Sequence, residues 1–311
     1  MAAWTVFGAG PLGTGVAEAA LARGIPVRIV TSSGHNPLLG TQGVESRAAD
    51  AMDVDHAIAA AEGARVVFHC ANRPYQHWKD ELPRMNTGIL AAARAAGARL
   101  VVADNLYMYA QTPLPITEAN AINPPTRKGR IRAQLAEELL AAHARGEVEV
   151  VLARGSDFFG PHAENAQVSV SQLAALLAGK QVRAMGDMDA AHSWTYAPDF
   201  SRAMALLAEA PAEATGRAWI VPTAPPLSFR QLIVQAAAIA GASPRFQRAP
   251  FFAVRAAGLF SPFLREVAEM RVQFEQDFTC SSAAFEERFG MAPTPTEDAL
   301  AETIAWVRAN M

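Results

Sequence analysis

Cysteine is nearly missing from this chain of 311 residues: Cys70 and Cys280 are the whole complement. Neither has C-x-x-C or zinc-type spacing, which excludes a disulfide scaffold and points to reduced thiols. The seven histidines include no H-E-x-x-H or related pattern, so no metal site is expected. Basic charge is lacking too. A formal net charge of −3 and no basic, aromatic-interleaved stretch leave no footprint for nucleic acid. No uninterrupted apolar run reaches the roughly 18 residues of a membrane span, so no membrane partner is expected. A strand pattern already under way at Trp4 leaves no room for a leader, which makes a cytoplasmic location the expectation. What is present, 51% hydrophobic and 18% charged residues, suits one large or two small compact domains.

The most informative stretch is the first. Ala3-Trp4-Thr5-Val6-Phe7 reads as an apolar strand that turns through Gly8, Gly10 and Gly13 into a helix running from Thr14 to Arg23. Strand, G-x-G-x-x-G and helix in that order make a dinucleotide-binding fingerprint. Gly8 permits the tight turn, and Gly10 lets the backbone approach a pyrophosphate. Gly13 allows close helix–strand packing, and Pro11 and Leu12 open the helix whose free N–H groups attract the anion. The other reading is an ordinary tight turn in an unrelated α/β protein. The second strand, Ile25 to Val30, ends in Thr31-Ser32-Ser33-Gly34. An NAD site places Asp or Glu about twenty residues past the glycines, to accept from the ribose 2′-hydroxyl. Here small hydroxyls stand there, with no carboxylate before Glu45. Thr31, Ser32 and Ser33 therefore favour NADP, with NAD as the alternative cofactor. No basic residue is well placed in sequence, since Arg28 lies within the strand and Arg47 is distant.

Strand and helix signals alternate through the first half, which predicts a parallel, doubly wound sheet. Val44–Ala49, Arg65–Asn72, Arg99–Ala103 and Val148–Ala153 read as further strands. Helices are expected over 54–61, over 77–96 with a break or kink at Pro83, and over 127–145. A Pro-rich loop spans Thr112 to Pro125. In the second half recurrent prolines punctuate shorter helices, Ser228 caps one of them, and Phe251 to Leu264 reads as a buried helix rather than a membrane-surface one.

On these residues the chain resembles the extended short-chain dehydrogenase/reductase family, the group of nucleotide-sugar epimerases and dehydratases. Asp50-Ala51-Met52-Asp53 is similar to the family's two-aspartate segment, whose first Asp meets the adenine amino group. Val67-Phe68-His69-Cys70-Ala71 resembles its fourth-strand His-x-Ala signature, which sets Ala71 and Asn72 beside the cofactor. Asn86, Thr117-Glu118 with Pro124-Pro125, Arg154 to Pro161, and Tyr196-Ala197-Pro198-Asp199 follow in register. The resemblance implies an α/β fold: a Rossmann-type doubly wound parallel sheet with a smaller, mostly helical C-terminal substrate domain. Residues 1–160 and 185–222 would form the dinucleotide-binding domain, and 161–184 and 223–311 the substrate domain. It also implies a homodimer through the helices over 77–96 and 127–145. Leu135, Leu139 and Leu140 make an apolar stripe on the second of these, available either to a partner or to the sheet.

The family's chemistry rests on Tyr-x-x-x-Lys at the start of the helix after the fifth strand, where Lys lowers the phenol pKa. The corresponding stretch here is Lys128-Gly129-Arg130-Ile131-Arg132. Anchored on Gly129, it puts Lys128 in the Tyr place and Arg132 in the Lys place, against the cofactor ribose. The usual Ser or Thr falls at Asp104-Asn105. No Tyr lies between Ala110 and Phe159. The catalytic candidates are Lys128, Asn105, Asp157 and Tyr109, with Tyr107 beside Tyr109 at the end of the fifth strand and His192 and Tyr196 near the same cleft. Lys128 and Arg132 read equally well as solvated residues on a first helical turn. Tyr109 reads as packing and His192 as a locally bonded loop histidine. Asp157 is a costly carboxylate at a strand end unless Arg154 pairs with it. Two functions stay open: an oxidoreductase or epimerase with non-standard catalytic residues acting on a small or nucleotide-linked substrate, and a redox sensor that binds NAD(P) without turnover.

Overall fold

The computed structural model describes residues 4–111, 113–249 and 251–311; Ala3 of the expected first strand and Thr112 of the expected loop lie outside them. In chain order the first half gives β1 (Trp4–Phe7), α1 (Pro11–Leu21), β2 (Val27–Thr31), β3 (Val44–Ala48), α2 (Val54–Ala60), β4 (Val66–His69), α3 (Trp78–Ala96), β5 (Arg99–Asp104), α4 (Arg127–Ala144) and β6 (Val150–Arg154). The second half gives β7 (Asp157–Phe159), α5 (Val170–Leu177), β8 (Gln181–Met185), β9 (Ala191–His192), β10 (Trp194–Tyr196), α6 (Ala197–Glu209), β11 (Ala218–Ile220), β12 (Leu227–Ser228) and α7 (Phe229–Ala240). It closes with β13 (Arg245–Ala249), α8 (Phe251–Ala257), α9 (Pro262–Glu269), α10 (Arg271–Glu275), α11 (Ala283–Phe289) and α12 (Thr296–Ala309).

Seven strands form one parallel sheet in the order β11-β6-β5-β4-β1-β2-β3. Every residue of β1, β4 and β6 is buried, the mark of strands covered on both faces. Alternate residues divide between two cores. Trp4, Val6, Ile29 and Phe68 pack under α1 and α6 with Val16, Phe200 and Met204. Phe7, Val30, Val67 and Leu100 pack on the opposite face with Ile89 of α3 and Leu139 of α4. The strand order reverses between β1 and β4, and this switch point places a crevice beyond their carboxyl ends.

A third core gathers Phe159, Leu173, Leu176, Val182, Trp194, Phe229, Leu232, Leu300 and Ile304 from β7, α5, β8, β10, α7 and α12. Ser228 caps α7 in a capping box with Gln231. Phe285 of α11 lies edge-on to Trp219 of β11 in the sheet core. Two expectations change. α3 carries Pro83 in its second turn yet is one helix from Trp78 to Ala96. The stretch from Phe251 to Leu264 is two helices, not one buried helix, because Ser261 and Pro262 start a new one. Phe252 of α8 is 77% exposed, and Leu259 and Phe260 in the turn between the helices are 74% and 90% exposed.

Candidate cofactor and active site

The glycine turn separates into positions the fold needs and one it does not. Gly8 has φ +97°, and a Cβ there would lie 2.7 Å from the Ala71 backbone. A Cβ at Gly13 would collide with the Gly8 carbonyl oxygen. Gly10 differs: nothing stands within 4 Å of where its Cβ would be. It is the N-cap of α1, without a capping side chain and without an acidic residue in the first turn, and Pro11 and Leu12 follow it. Those features fit a dinucleotide, because the free N–H groups and the helix dipole favour an anion close to the backbone.

At the end of β2, Ser32 and Ser33 are exposed. Thr31 donates through Oγ1 to the His35 carbonyl (3.1 Å), and Ser33 Oγ accepts from the His35 amide (3.3 Å). Arg28 is occupied elsewhere, donating to the Ala60 and Glu62 carbonyls and pairing with Glu45. Arg47, remote in sequence, stands in register with Val30 once β3 pairs with β2, one residue from Thr31. Parallel pairing supplies this neighbour, and no local spacing signals it. Asp50 is exposed and its Oδ1 accepts from the Met52 amide, while Asp53 caps α2.

Over β4 and β5 the side chains are tightly engaged. Thr126 caps α4 by accepting from the Gly129 amide (3.0 Å), and a Cβ at Gly129 would collide with the Tyr107 carbonyl. The start of α4 is therefore pressed against the loop after β5. Lys128, 1% exposed, is far from solvated: Nζ contacts Glu266 and lies 2.9 Å from Glu269 Oε2 on α9. Its Nζ is thus enclosed by two carboxylates, whereas a proton-transfer role calls for an unpaired lysine. Arg132 is also largely buried, with its guanidinium 4.5 Å from the Trp78 ring centre and Nη2 donating to Asn72 Oδ1 at 3.2 Å. Half-buried Asn105 turns the chain locally, its Oδ1 accepting from the Tyr107 amide (3.0 Å).

Arg154 does not pair with Asp157, as the sequence suggested. Its Nε donates to Asp104 Oδ2 at 2.9 Å and its Nη1 to the Tyr109 hydroxyl at 2.7 Å, in a buried cluster. Tyr109, 1% exposed, is thereby committed to structure. Asp157 faces His192 instead, with Nε2 to Oδ2 at 3.0 Å but out of line for a hydrogen bond. The His192 ring is held between Trp194 and Phe278, centroids 4.3 and 5.4 Å away. Tyr196 turns aside and donates to Glu302 Oε2 at 2.6 Å.

The sequence singled out Tyr107 but not the residue it meets. Tyr75, from the 3-10 turn Tyr75–His77 after β4, and Tyr107, after β5, have hydroxyls 3.0 Å apart. Burial and the Asp157 charge push Tyr75 up to about 12 and Tyr107 well above the usual phenol value. Two phenols, both held above their usual range, are thus joined beyond the carboxyl ends of β4 and β5. Tyr75 sits in the short Asn72-Arg73-Pro74-Tyr75 run beyond the fourth strand, its only sequence signal. Among the described residues no cluster of His, Cys, Asp or Glu has metal-binding geometry, and no helix is long and apolar enough to cross a membrane.

Comparisons with known proteins agree with this architecture. A DesIV double mutant from Streptomyces venezuelae, a dTDP-glucose 4,6-dehydratase with NAD bound, superposes with a TM-score of 0.79 at 18% identity, covering 99% of this chain and 97% of that one. MoeE5 with UDP-glucuronic acid and NAD gives 0.81 at 20% identity, covering 99% and 100%. UDP-glucose 4-epimerase from Thermus thermophilus with NAD gives 0.79 at 19% identity, covering 99% of each chain. No curated protein matches the chain in sequence. The NAD dependent epimerase/dehydratase family matches residues 4–221, the whole sheet with its glycine turn and both helical layers, and the chain belongs to that family.

Proposed function

We propose that the protein is an NADP-preferring oxidoreductase or epimerase of the extended short-chain type, with a small or nucleotide-linked substrate in the cleft above β4 and β5. One observation carries the reading. Gly8 and Gly13 are required by the packing of the turn itself, whereas Gly10 faces open space and is required by nothing within the protein. Bare backbone under open space at a helix N-terminus is what a pyrophosphate needs. When bound, the nicotinamide cofactor supplies the hydride acceptor or donor. The chain's own part is to bind and orient: Gly10, Pro11 and Leu12 at the pyrophosphate, Asp50 toward the adenine, and Ala71, Asn72 and Arg132 along the nicotinamide half.

The NADP preference rests on this chain's own β2 end, since the solved relatives named above hold NAD. Exposed Ser32 and Ser33, no carboxylate at that position, and Arg47 one strand away all suit a 2′-phosphate. Calorimetric titration with each cofactor tests this. Tighter NADP supports the preference, tighter NAD removes it, and binding of neither removes the reading itself. A cytoplasmic homodimer pairing α3 and α4 is part of the proposal. It draws on the family resemblance, because Leu135 and Leu139 are spent inside the subunit.

The second reading, a redox sensor without turnover, draws on the pairing of Lys128 with Glu266 and Glu269 and on a first turn of α4 without tyrosine. Oxidation of bound NADPH by any member of a nucleotide-sugar panel removes it.

A further inference from the structure

Two phenols meet at the carboxyl edge of the sheet although the helix that should carry one has none. Tyr75 and Tyr107 arrive from the loops after β4 and β5, their hydroxyls 3.0 Å apart. Trp78 fixes both rings, edge-on to Tyr75 with centroids at 4.9 Å and stacked on Tyr107 at 6.2 Å. Lys128 Nζ stands 5.1 Å from the centre of the Tyr75 ring, and Gly129 beside it brings α4 onto the Tyr107 carbonyl. A phenol and an ammonium are again neighbours, assembled from three separate elements rather than from one helical turn.

We infer that Tyr75 is the proton-transfer residue of this site, with Tyr107 as the positioning residue bonded to its oxygen and Lys128 as the adjacent cation. The inference rests on the oxidoreductase reading above. When bound, the reduced nicotinamide would supply the hydride taken up by the carbon of a substrate carbonyl and would be left oxidised. The carbonyl π pair moves to oxygen, and that oxygen takes the proton as the Tyr75 O–H bond breaks. The Tyr75 phenolate would then receive the Tyr107 hydroxyl proton, and a solvent water would reprotonate Tyr107, its hydroxide passing to bulk. The substrate gains one hydride and one proton, and the enzyme returns to its starting state.

The charges around Tyr75 come from every side. Arg132 of α4 favours the phenolate and Asp157 of β7 opposes it, while Tyr107 stabilises it by donation. Lys128 also faces the ring, its charge offset by Glu266 and Glu269 of α9. A group in that position feels whatever charge enters the cleft, whereas Tyr109, bonded to Arg154, and Tyr196, bonded to Glu302, are enclosed elsewhere.

The test uses full-length protein labelled with 3-fluorotyrosine and observed by fluorine NMR, with NADP+ binding followed in parallel by calorimetry. The chain has four tyrosines, and each resonance is assigned by its Tyr→Phe variant. On binding NADP+, the Tyr75 titration should move down by about one pH unit, from the positive nicotinamide nearby, while Tyr109 and Tyr196 stay in place. Tyr107→Phe should raise the Tyr75 titration and leave NADP+ affinity within about twofold, as removal of a donor to the phenolate requires. Thermal melts check that both variants fold. NADP+ that binds without moving the Tyr75 resonance overturns the inference alone. An unmoved Tyr75 titration in Tyr107→Phe overturns the positioning role. Failure to bind either cofactor overturns the oxidoreductase reading and this inference with it.

Discussion

Arg132 Nη2 donates to Asn72 Oδ1 across 3.2 Å, tying the first turns of α4 to the loop that ends β4. The same guanidinium lies over Trp78 and 3.9 Å from Asp104, so it is held from three sides at the edge of the proposed nicotinamide site. Arg132→Ala is expected to weaken cofactor affinity by about tenfold, or roughly 1.4 kcal/mol. Calorimetry checks this, and affinity equal to wild type would show that Arg132 serves only to join α4 to the loop.

Lys128 holds α9 in place through Glu266 and Glu269, which are themselves mostly buried. Removing the cation leaves two mostly buried carboxylates with only the exposed Arg127 as counter-charge, a loss on the order of 3 kcal/mol. Lys128→Met should therefore lower the melting temperature, and adding Glu266→Gln and Glu269→Gln should recover much of the loss. A melting temperature unchanged by Lys128→Met would contradict the pairing.

Burial holds the His69 imidazole neutral, its pKa pushed down to about 3 with the Arg132 charge adding to the effect. The unfolded chain protonates the same group near its ordinary value, about 6.5. Between those values the unfolded state binds more protons than the folded state. Stability therefore rises with pH across this window and is lost as pH falls from about 6.5 toward 3. Urea denaturation over that range should show a shallower decline for His69→Asn. Equal slopes for variant and wild type would exclude His69 as a source of the acid sensitivity.

The homodimer has its own test. Light scattering at micromolar concentration should give twice the 33.1 kDa chain mass. The monomer mass would remove the pairing of α3 with α4.

The parallel sheet and its glycine turn were legible in the sequence because both are local signals. An apolar strand, Gly8, Gly10, Gly13 and a helix lie within one short stretch, and β-branched runs recur at regular spacing. Lys128 was legible as a residue of the site but not in its state. Its partners Glu266 and Glu269 lie on α9, 138 and 141 positions away, and no local pattern announces them. Arg154 was matched to nearby Asp157, whereas sheet register gives it Asp104 of the adjacent strand. Tyr75 escaped notice because its significance comes from contact with Tyr107 and Trp78, which the chain brings together only on folding. The break at Pro262 was visible and counted against a membrane-surface helix, but Ser261 as the cap of a second helix was not read from it.

The central claim is that the turn after β1 binds a dinucleotide. Gly10→Val is the most direct probe, because its side chain would enter open space and spare the fold. Calorimetric titration of wild type and Gly10→Val with NADP and NAD, beside thermal melts, should show NADP bound more tightly than NAD by the wild type. The variant should keep its melting temperature and lose NADP affinity by about a hundredfold, or roughly 2.7 kcal/mol. A folded Gly10→Val protein that binds NADP as tightly as wild type would contradict the account.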